Sequence, residues 1–131
     1  MTYDVVVLTQ RAPDVRAIVD SMVRAGESLR VRGARSDAVV QLVGADGRPV
    51  LSIEAAQRVD VAGEVERLLG PEVTAGLTVP YWWVEARAVD TEADAIEITH
   101  RFAEAMTERL GGAVWSSAPG RAAADRTDGS R

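Results

Sequence analysis

The side chains with the clearest chemical potential lie within residues 80–88, where a tyrosine and two tryptophans precede an acidic and a basic residue. Side chains alternate across a β-strand, so this run has two different faces. The face with the composition of a core holds Trp82, Val84, Ala86 and Ala88. The other face holds Tyr81, Trp83, Glu85 and Arg87. Aromatic and Arg side chains dominate the energetics of protein-binding surfaces, so the second face predicts a binding site.

Charged residues of other predicted strands fall on the same side of the sheet as these four residues. By alternation we expect Glu54, Arg30 and Arg32, together with the polar Gln41 and Ser52, to join them on one open sheet face. A sheet face without a second helical layer often contacts another protein. In the alternative interpretation, residues 72–79 or the C-terminal tail cover the two aromatic side chains, and the charged residues form ordinary cross-strand pairs.

Arg30 and Arg32 stand two positions apart in a short predicted strand and are followed by Arg35. On one face of that strand they could hold an anionic group. Charge on an edge strand is also a common protection against edge-to-edge aggregation. We favour protection of the sheet edge as the explanation of these arginines.

The single histidine, His100, is predicted to lie on a long helix with Glu104 one turn further on. Two such side chains could hold a metal ion together, but a third protein ligand is missing. A solvated helix face on which Glu97 pairs with Arg101 explains the same residues. We therefore predict no metal site.

Motifs of the common catalytic and cofactor-binding sites are missing from the chain. There is no cysteine, no G-x-S-x-G, no G-x-G-x-x-G and no P-loop. Glu54 and Glu85 could share acid and base roles on one sheet face, but Arg87 and Arg32 nearby are expected to neutralise them. We predict no catalytic residue and no cofactor, and an enzyme is the less favoured class.

The charge balance narrows the range of partners. The formal net charge is −5, and a negative domain without basic clusters is repelled by nucleic acid and by anionic membrane surfaces. The first residues lack the basic region of a signal peptide, so we expect a cytoplasmic protein. All fifteen basic residues are Arg, which is typical of a GC-rich genome and of a small bacterial domain.

Periodicity predicts the element order β-α-β-β-β-α-β-α-β. The first strand, residues 3–9, is nearly continuous in apolar character and is expected to be central. A helix follows Pro13, with Val15, Ile18, Val19, Met22 and Val23 on its buried face.

Residues 38–43 and 49–55 form a hairpin around Asp46-Gly47, and residues 29–32 form a short strand before it. Asp60 is expected to cap a short helix over residues 61–69, with Val61, Val65, Leu68 and Leu69 inward.

The second long helix is predicted after a capping box at residues 91–94 and ends at Gly111-Gly112. A last strand covers residues 113–116. Residues 1–116 are expected to form one domain, and residues 117–131 a disordered tail.

Right-handed crossovers would place both long helices on one face of the sheet. The predicted fold is therefore an α+β two-layer sandwich with a mainly antiparallel sheet, ferredoxin-like in plan, with an extra hairpin and a short helix.

From these features we expect a non-enzymatic interaction protein that binds through its open sheet face. The predicted partner is a second copy of the chain or another protein, as in an accessory or immunity-type role. The alternative is a small-ligand-sensing domain in which the ligand lies against the aromatic side chains, with Arg30 or Arg32 on its anionic end.

Overall fold

The structure is a computed structural model that describes residues 3–26, 29–34, 39–88 and 93–116. Its strands are β1 (Tyr3–Thr9), β2 (Arg30–Ala34), β3 (Val39–Val43), β4 (Pro49–Glu54), β5 (Gln57–Val59), β6 (Tyr81–Ala88) and β7 (Gly112–Ser116). Its helices are α1 (Val15–Ala25), α2 (Glu64–Leu69) and α3 (Ala93–Leu110). The predicted capping box at residues 91–94 begins outside the described residues, and the predicted tail lies wholly outside them.

The strands form one open antiparallel sheet in the order β2-β3-β4-β6-β1-β7. β5 continues the line of β4 and pairs with the first half of β6. The prediction of an α+β fold with an antiparallel sheet is confirmed, and β1 has a neighbour on each side. β5 was not predicted, because its sequence, Gln-Arg-Val, carries no hydrophobic alternation of its own and its pairing with β6 is a tertiary contact.

Helices α1 and α3 pack on the same face of the sheet and against each other. Their buried side chains, which include Met22, Phe102 and Met106, form one core with Val7 of β1 and Val84 of β6. The N-terminus of α1 is capped by Asp14, whose carboxylate accepts a hydrogen bond of 2.8 Å from the backbone N–H of Ala17.

The buried face of α1 is rotated from the predicted one. Val15 and Val23 are exposed, whereas Ala17, Ser21 and Ala25 are buried beside Met22. Small side chains let a helix approach its neighbours closely, and a hydrophobic stripe read from sequence gives too much weight to the larger valines.

Helix α2 is shorter than predicted and begins at Glu64. Gly63 before it has a φ of 97°, and the carboxylate of Glu66 accepts a 3.0 Å hydrogen bond from the Gly63 N–H. Asp60, the predicted cap, instead accepts a 2.7 Å hydrogen bond from Arg58. Val61 and Leu68 are 60% and 66% exposed, so the prediction that they point inward is wrong. For Val61 the reason is that residues 61–63 form a turn, so the helical face extrapolated back to this residue does not exist there.

A second, smaller core lies on the opposite face of the sheet. Val6, Leu8 and Tyr81 are buried there under Val65 and the partly buried Leu69 of α2, and under the partly buried Val73 and Leu77 of the following segment. α2 and residues 71–79 therefore cover part of the sheet face that faces away from α1 and α3. Among the described helices, none is both long and apolar enough to cross a membrane.

Candidate functional site

The sheet face that faces away from α1 and α3, here called the outer face, carries a line of polar side chains across five adjacent strands. Strand pairing places them in register, in the order Arg32, Gln41, Ser52, Arg87 and Asp4. Three hydrogen bonds connect members of this polar row: Arg32 to Gln41 at 2.7 Å, Gln41 to Ser52 at 3.2 Å, and Arg87 to Asp4 at 2.7 Å. The side chains are therefore held in fixed positions at the end of the outer face that α2 does not reach.

The charge around Arg87 is predominantly negative. Its hydrogen bond to Asp4 is the main cause that raises the pKa of the Arg87 guanidinium, and the charges of Asp4, Glu54 and Glu85 raise it further. A shallow cavity of about 140 Å³ lies among these residues, beside Gln41 and Ser52. Arg87 consequently keeps its positive charge in the middle of three carboxylates.

Trp83 and Glu85 form the border between the polar row and the covered part of the outer face. The Trp83 indole N–H donates a 3.0 Å hydrogen bond to a Glu85 carboxylate oxygen, and the half-buried ring packs on the second core. Beside them lies a cleft of about 420 Å³ between β5 and α2. The two exposed apolar side chains Val61 and Leu68 line this cleft.

Tyr81 lies below the accessible surface, at 2% exposure. Burial, followed by the charge of Glu66, raises the pKa of its hydroxyl, and that hydroxyl has no hydrogen-bond partner among the described residues. Glu66 itself accepts a 2.7 Å hydrogen bond from Thr74, which is the main cause of its lowered pKa. Tyr81 is thus part of the second core, covered by α2 and residues 71–79, as in the alternative interpretation of the sequence.

The structure brings together some of the predicted binding residues and separates others. Trp83, Glu85 and Arg87 alternate along β6, and Glu54 lies beside them on the rim of the 140 Å³ cavity. Arg30 and Arg32 lie on β2 at the edge of the sheet, three strands away from β6. With strands about 4.8 Å apart, that separation is roughly 14 Å, too far for one small ligand to contact both Arg32 and Trp83.

The side of β6 that faces the helices is mostly as predicted. Val84, Ala86 and Ala88 are buried against the helices. Trp82 is only half-buried, and the Arg58 guanidinium lies 5.9 Å from the centroid of its ring. Strand β5 supplies this arginine, which sequence reasoning did not connect with the tryptophan.

A buried polar cluster on the helix side of the sheet was not predicted. The Tyr3 hydroxyl lies 2.5 Å from His100 Nε2 and 2.6 Å from Ser116 Oγ, which links β1, α3 and β7. His100 is 7% exposed, so the prediction that it is solvated is wrong, whereas the predicted Glu97–Arg101 pair is present at 3.7 Å. The sequence signal was available, because His100 lies one turn from Ile96 and Ala103 on the apolar side of α3.

Within the described part of the chain, no group of three or more His, Asp or Glu side chains is arranged to hold a metal ion. Comparisons of the chain with protein-family models, curated proteins and solved structures found no match.

Proposed function

We propose that this protein is a non-enzymatic binding protein whose outer face docks onto another protein. The polar row carries this proposal, because five strands contribute side chains that are already fixed by hydrogen bonds and that no described element covers. Prepositioned polar groups lose little conformational entropy on binding. Trp83 and the exposed Val61 and Leu68 add apolar area at one end of the face, and protein interfaces combine apolar and polar area.

The simplest partner is a second copy of the chain. In a two-fold sheet-to-sheet dimer, the same patch meets itself, so Arg87 of one copy can approach Glu54 or Glu85 of the other. A different partner would present a basic patch, which suits the carboxylates around Arg87 and the net charge of −5. Both partners place the same residues in the interface.

We also infer a ferredoxin-like plan for the fold. Following the antiparallel pairings, β1 runs in the same direction as β2, and β6 in the same direction as β7, so α1 and α3 each join two strands of equal direction. Removal of the β3–β4 hairpin would leave the order of a four-stranded ferredoxin-like sheet. In that description the hairpin widens the outer face and contributes Gln41 and Ser52 of the polar row.

Solution mass from light scattering on a sizing column tests the proposal. Charge reversal is the better perturbation, because Trp83 packs on the second core and its replacement would also destabilise the fold. Glu54→Arg and Arg87→Glu should each weaken a dimer, and the double variant should restore it where the two residues pair across the two-fold axis. Arg48→Glu, in the exposed β3–β4 turn, is the control and should leave the mass unchanged.

A monomeric wild type would exclude self-association and move the test to a partner. A protein captured by the wild type and by Arg48→Glu, but lost with Glu54→Arg, supports the outer face. A partner that binds the wild type and both variants equally contradicts the proposal.

A second candidate function, sensing of a small ligand, is favoured by the cleft between β5 and α2. Its volume of about 420 Å³ lies within the range of small-molecule sites. The ligand would contact Trp83, Glu85 and Arg58 rather than Arg30 or Arg32. A rise in the midpoint of thermal unfolding with a metabolite, absent in Glu85→Gln, would favour this function over protein binding.

A further inference from the structure

The two edges of the sheet differ in chemical character. β2 carries Arg30 and Arg32 along one edge, and charged side chains are a common means of preventing edge-to-edge pairing. β7, at the other edge, reads Gly-Ala-Val-Trp-Ser and has neither charge nor proline. No strand within residues 3–26, 29–34, 39–88 and 93–116 pairs with the second edge of β7. One edge is therefore protected by charge and the other is not.

The edge of β7 lies in a groove. A cavity of about 490 Å³ runs beside the strand, between α3 and residues 69–73. Ala103 and Glu104 line the α3 wall, and Leu69, Glu72 and Val73 line the opposite wall. A strand edge between two such walls offers backbone hydrogen-bonding groups at the bottom and side-chain contacts on both sides.

We propose that the β7 groove binds an extended, basic peptide segment of a partner protein as an additional strand of the sheet. In this mode, backbone hydrogen bonds supply affinity and the walls select alternate side chains. Apolar side chains of the peptide would lie against Ala103 on one side and against Leu69 and Val73 on the other. Basic side chains would pair with Glu104 and Glu72, which are exposed on opposite walls.

Charge argues against a second copy of the chain in this groove. Edge-to-edge pairing of two β7 strands would bring the Glu72 and Glu104 residues of both copies to one seam, where like charges repel each other. The net charge of −5 adds to the repulsion. A basic segment of a different protein would instead be attracted by Glu72 and Glu104.

The proposal concerns a surface separate from the polar row and does not depend on it. A suitable probe is a fluorescent peptide with two repeats of Arg-Arg-Val-Val, which places one Arg and one Val per repeat on each face of a strand. The matched peptide has Glu in place of Arg. Fluorescence anisotropy with the full-length protein should detect binding of the Arg peptide and not of the Glu peptide.

Two protein variants with the same change of charge distinguish binding in the groove from a general electrostatic effect. Glu104→Arg should lower the affinity for the Arg peptide by about tenfold or more, because it reverses a charge on the groove wall. Glu108→Arg, one turn along the same helix and exposed, should leave the affinity within about twofold of wild type. Equal losses in both variants would overturn the proposal, and so would a wild type that binds neither peptide.

N-methylation of the peptide tests strand addition without touching the protein. In a strand, alternate backbone N–H groups point to the same neighbour, so methylation of one alternate set should abolish binding and methylation of the other set should not. Binding that tolerates both sets, or that is lost with both, would contradict the strand mode. Self-association of the wild type that Glu104→Arg strengthens, without any peptide binding, would assign the groove to a second copy instead, because the variant removes the like-charge repulsion between the copies.

Discussion

At the scale of single residues, two buried tyrosines show that the surroundings decide whether a hydroxyl group stabilises or destabilises the fold. The Tyr3 hydroxyl lies within hydrogen-bond distance of both His100 and Ser116 and connects three elements of the fold. The Tyr81 hydroxyl is buried with no partner among the described residues. A buried polar group without a hydrogen bond costs free energy, whereas a bonded one contributes to stability.

The same Tyr-to-Phe change is therefore expected to act in opposite directions at these two positions. Tyr81→Phe should raise the free energy of unfolding by about 1 kcal/mol, since it removes an unsatisfied hydroxyl. Tyr3→Phe should lower it by about 1–3 kcal/mol, since His100 and Ser116 each lose this contact. Urea denaturation of the two variants and wild type measures both values, and a clear loss of stability in Tyr81→Phe would contradict the description of the second core.

At the scale of secondary-structure elements, the position of β7 depends on the two glycines that follow α3. Gly111 and Gly112 have φ values of 74° and 137°, which favour glycine. A Cβ atom at Gly112 would lie 1.8 Å from the carbonyl oxygen of Leu8 on the neighbouring strand. The close approach of β7 to β1 is possible only because this side chain is absent.

Gly112→Ala should therefore destabilise the protein by about 3 kcal/mol or more, since strain and overlap with backbone act together. Gly76→Ala is the matched control, because nothing lies within 4 Å of its Cβ position. The control should stay within about 0.5 kcal/mol of wild type. Guanidinium denaturation gives both numbers, and equal stability of the two variants would show that β7 does not pack on β1 as described.

At the scale of the whole molecule, one sheet separates two cores. The larger core joins α1 and α3 to the sheet, and the smaller one joins α2 and residues 71–79 to the outer face. β1 and β6 contribute side chains to both cores, because their residues alternate between the two faces. The two cores should therefore unfold together.

Truncation of a buried side chain to Ala in either core is expected to shift one common unfolding transition. Met106→Ala in the larger core should cost about 2–5 kcal/mol, and Val65→Ala in the smaller core about 1–3 kcal/mol. Leu68→Ala, at an exposed position of the same short helix, should change stability little. Calorimetry and tryptophan fluorescence should report the same midpoint for each variant. A Val65→Ala variant with two separate transitions would show that α2 is an independent unit.

Much of the fold could be predicted because its signals are local. Alternation placed Val84, Ala86 and Ala88 on the helix side and Trp83 and Arg87 on the other. The Asp46-Gly47 turn predicted the β3–β4 hairpin, and apolar periodicity predicted both long helices. Each of these patterns depends on residues only a few positions apart, so the sequence alone is sufficient to detect it.

The candidate sites were predicted less completely, because they depend on contacts between distant parts of the chain. Alternation along β6 was enough to define its two faces and the charges on each of them. Packing between distant segments places α2 and residues 71–79 over Tyr81 and Arg32 far from Trp83, and it leaves one edge of β7 in a groove without a partner strand among the described residues. Alternation determines which side chains share a face, but the free energy of burying that face depends on which remote segment packs on it.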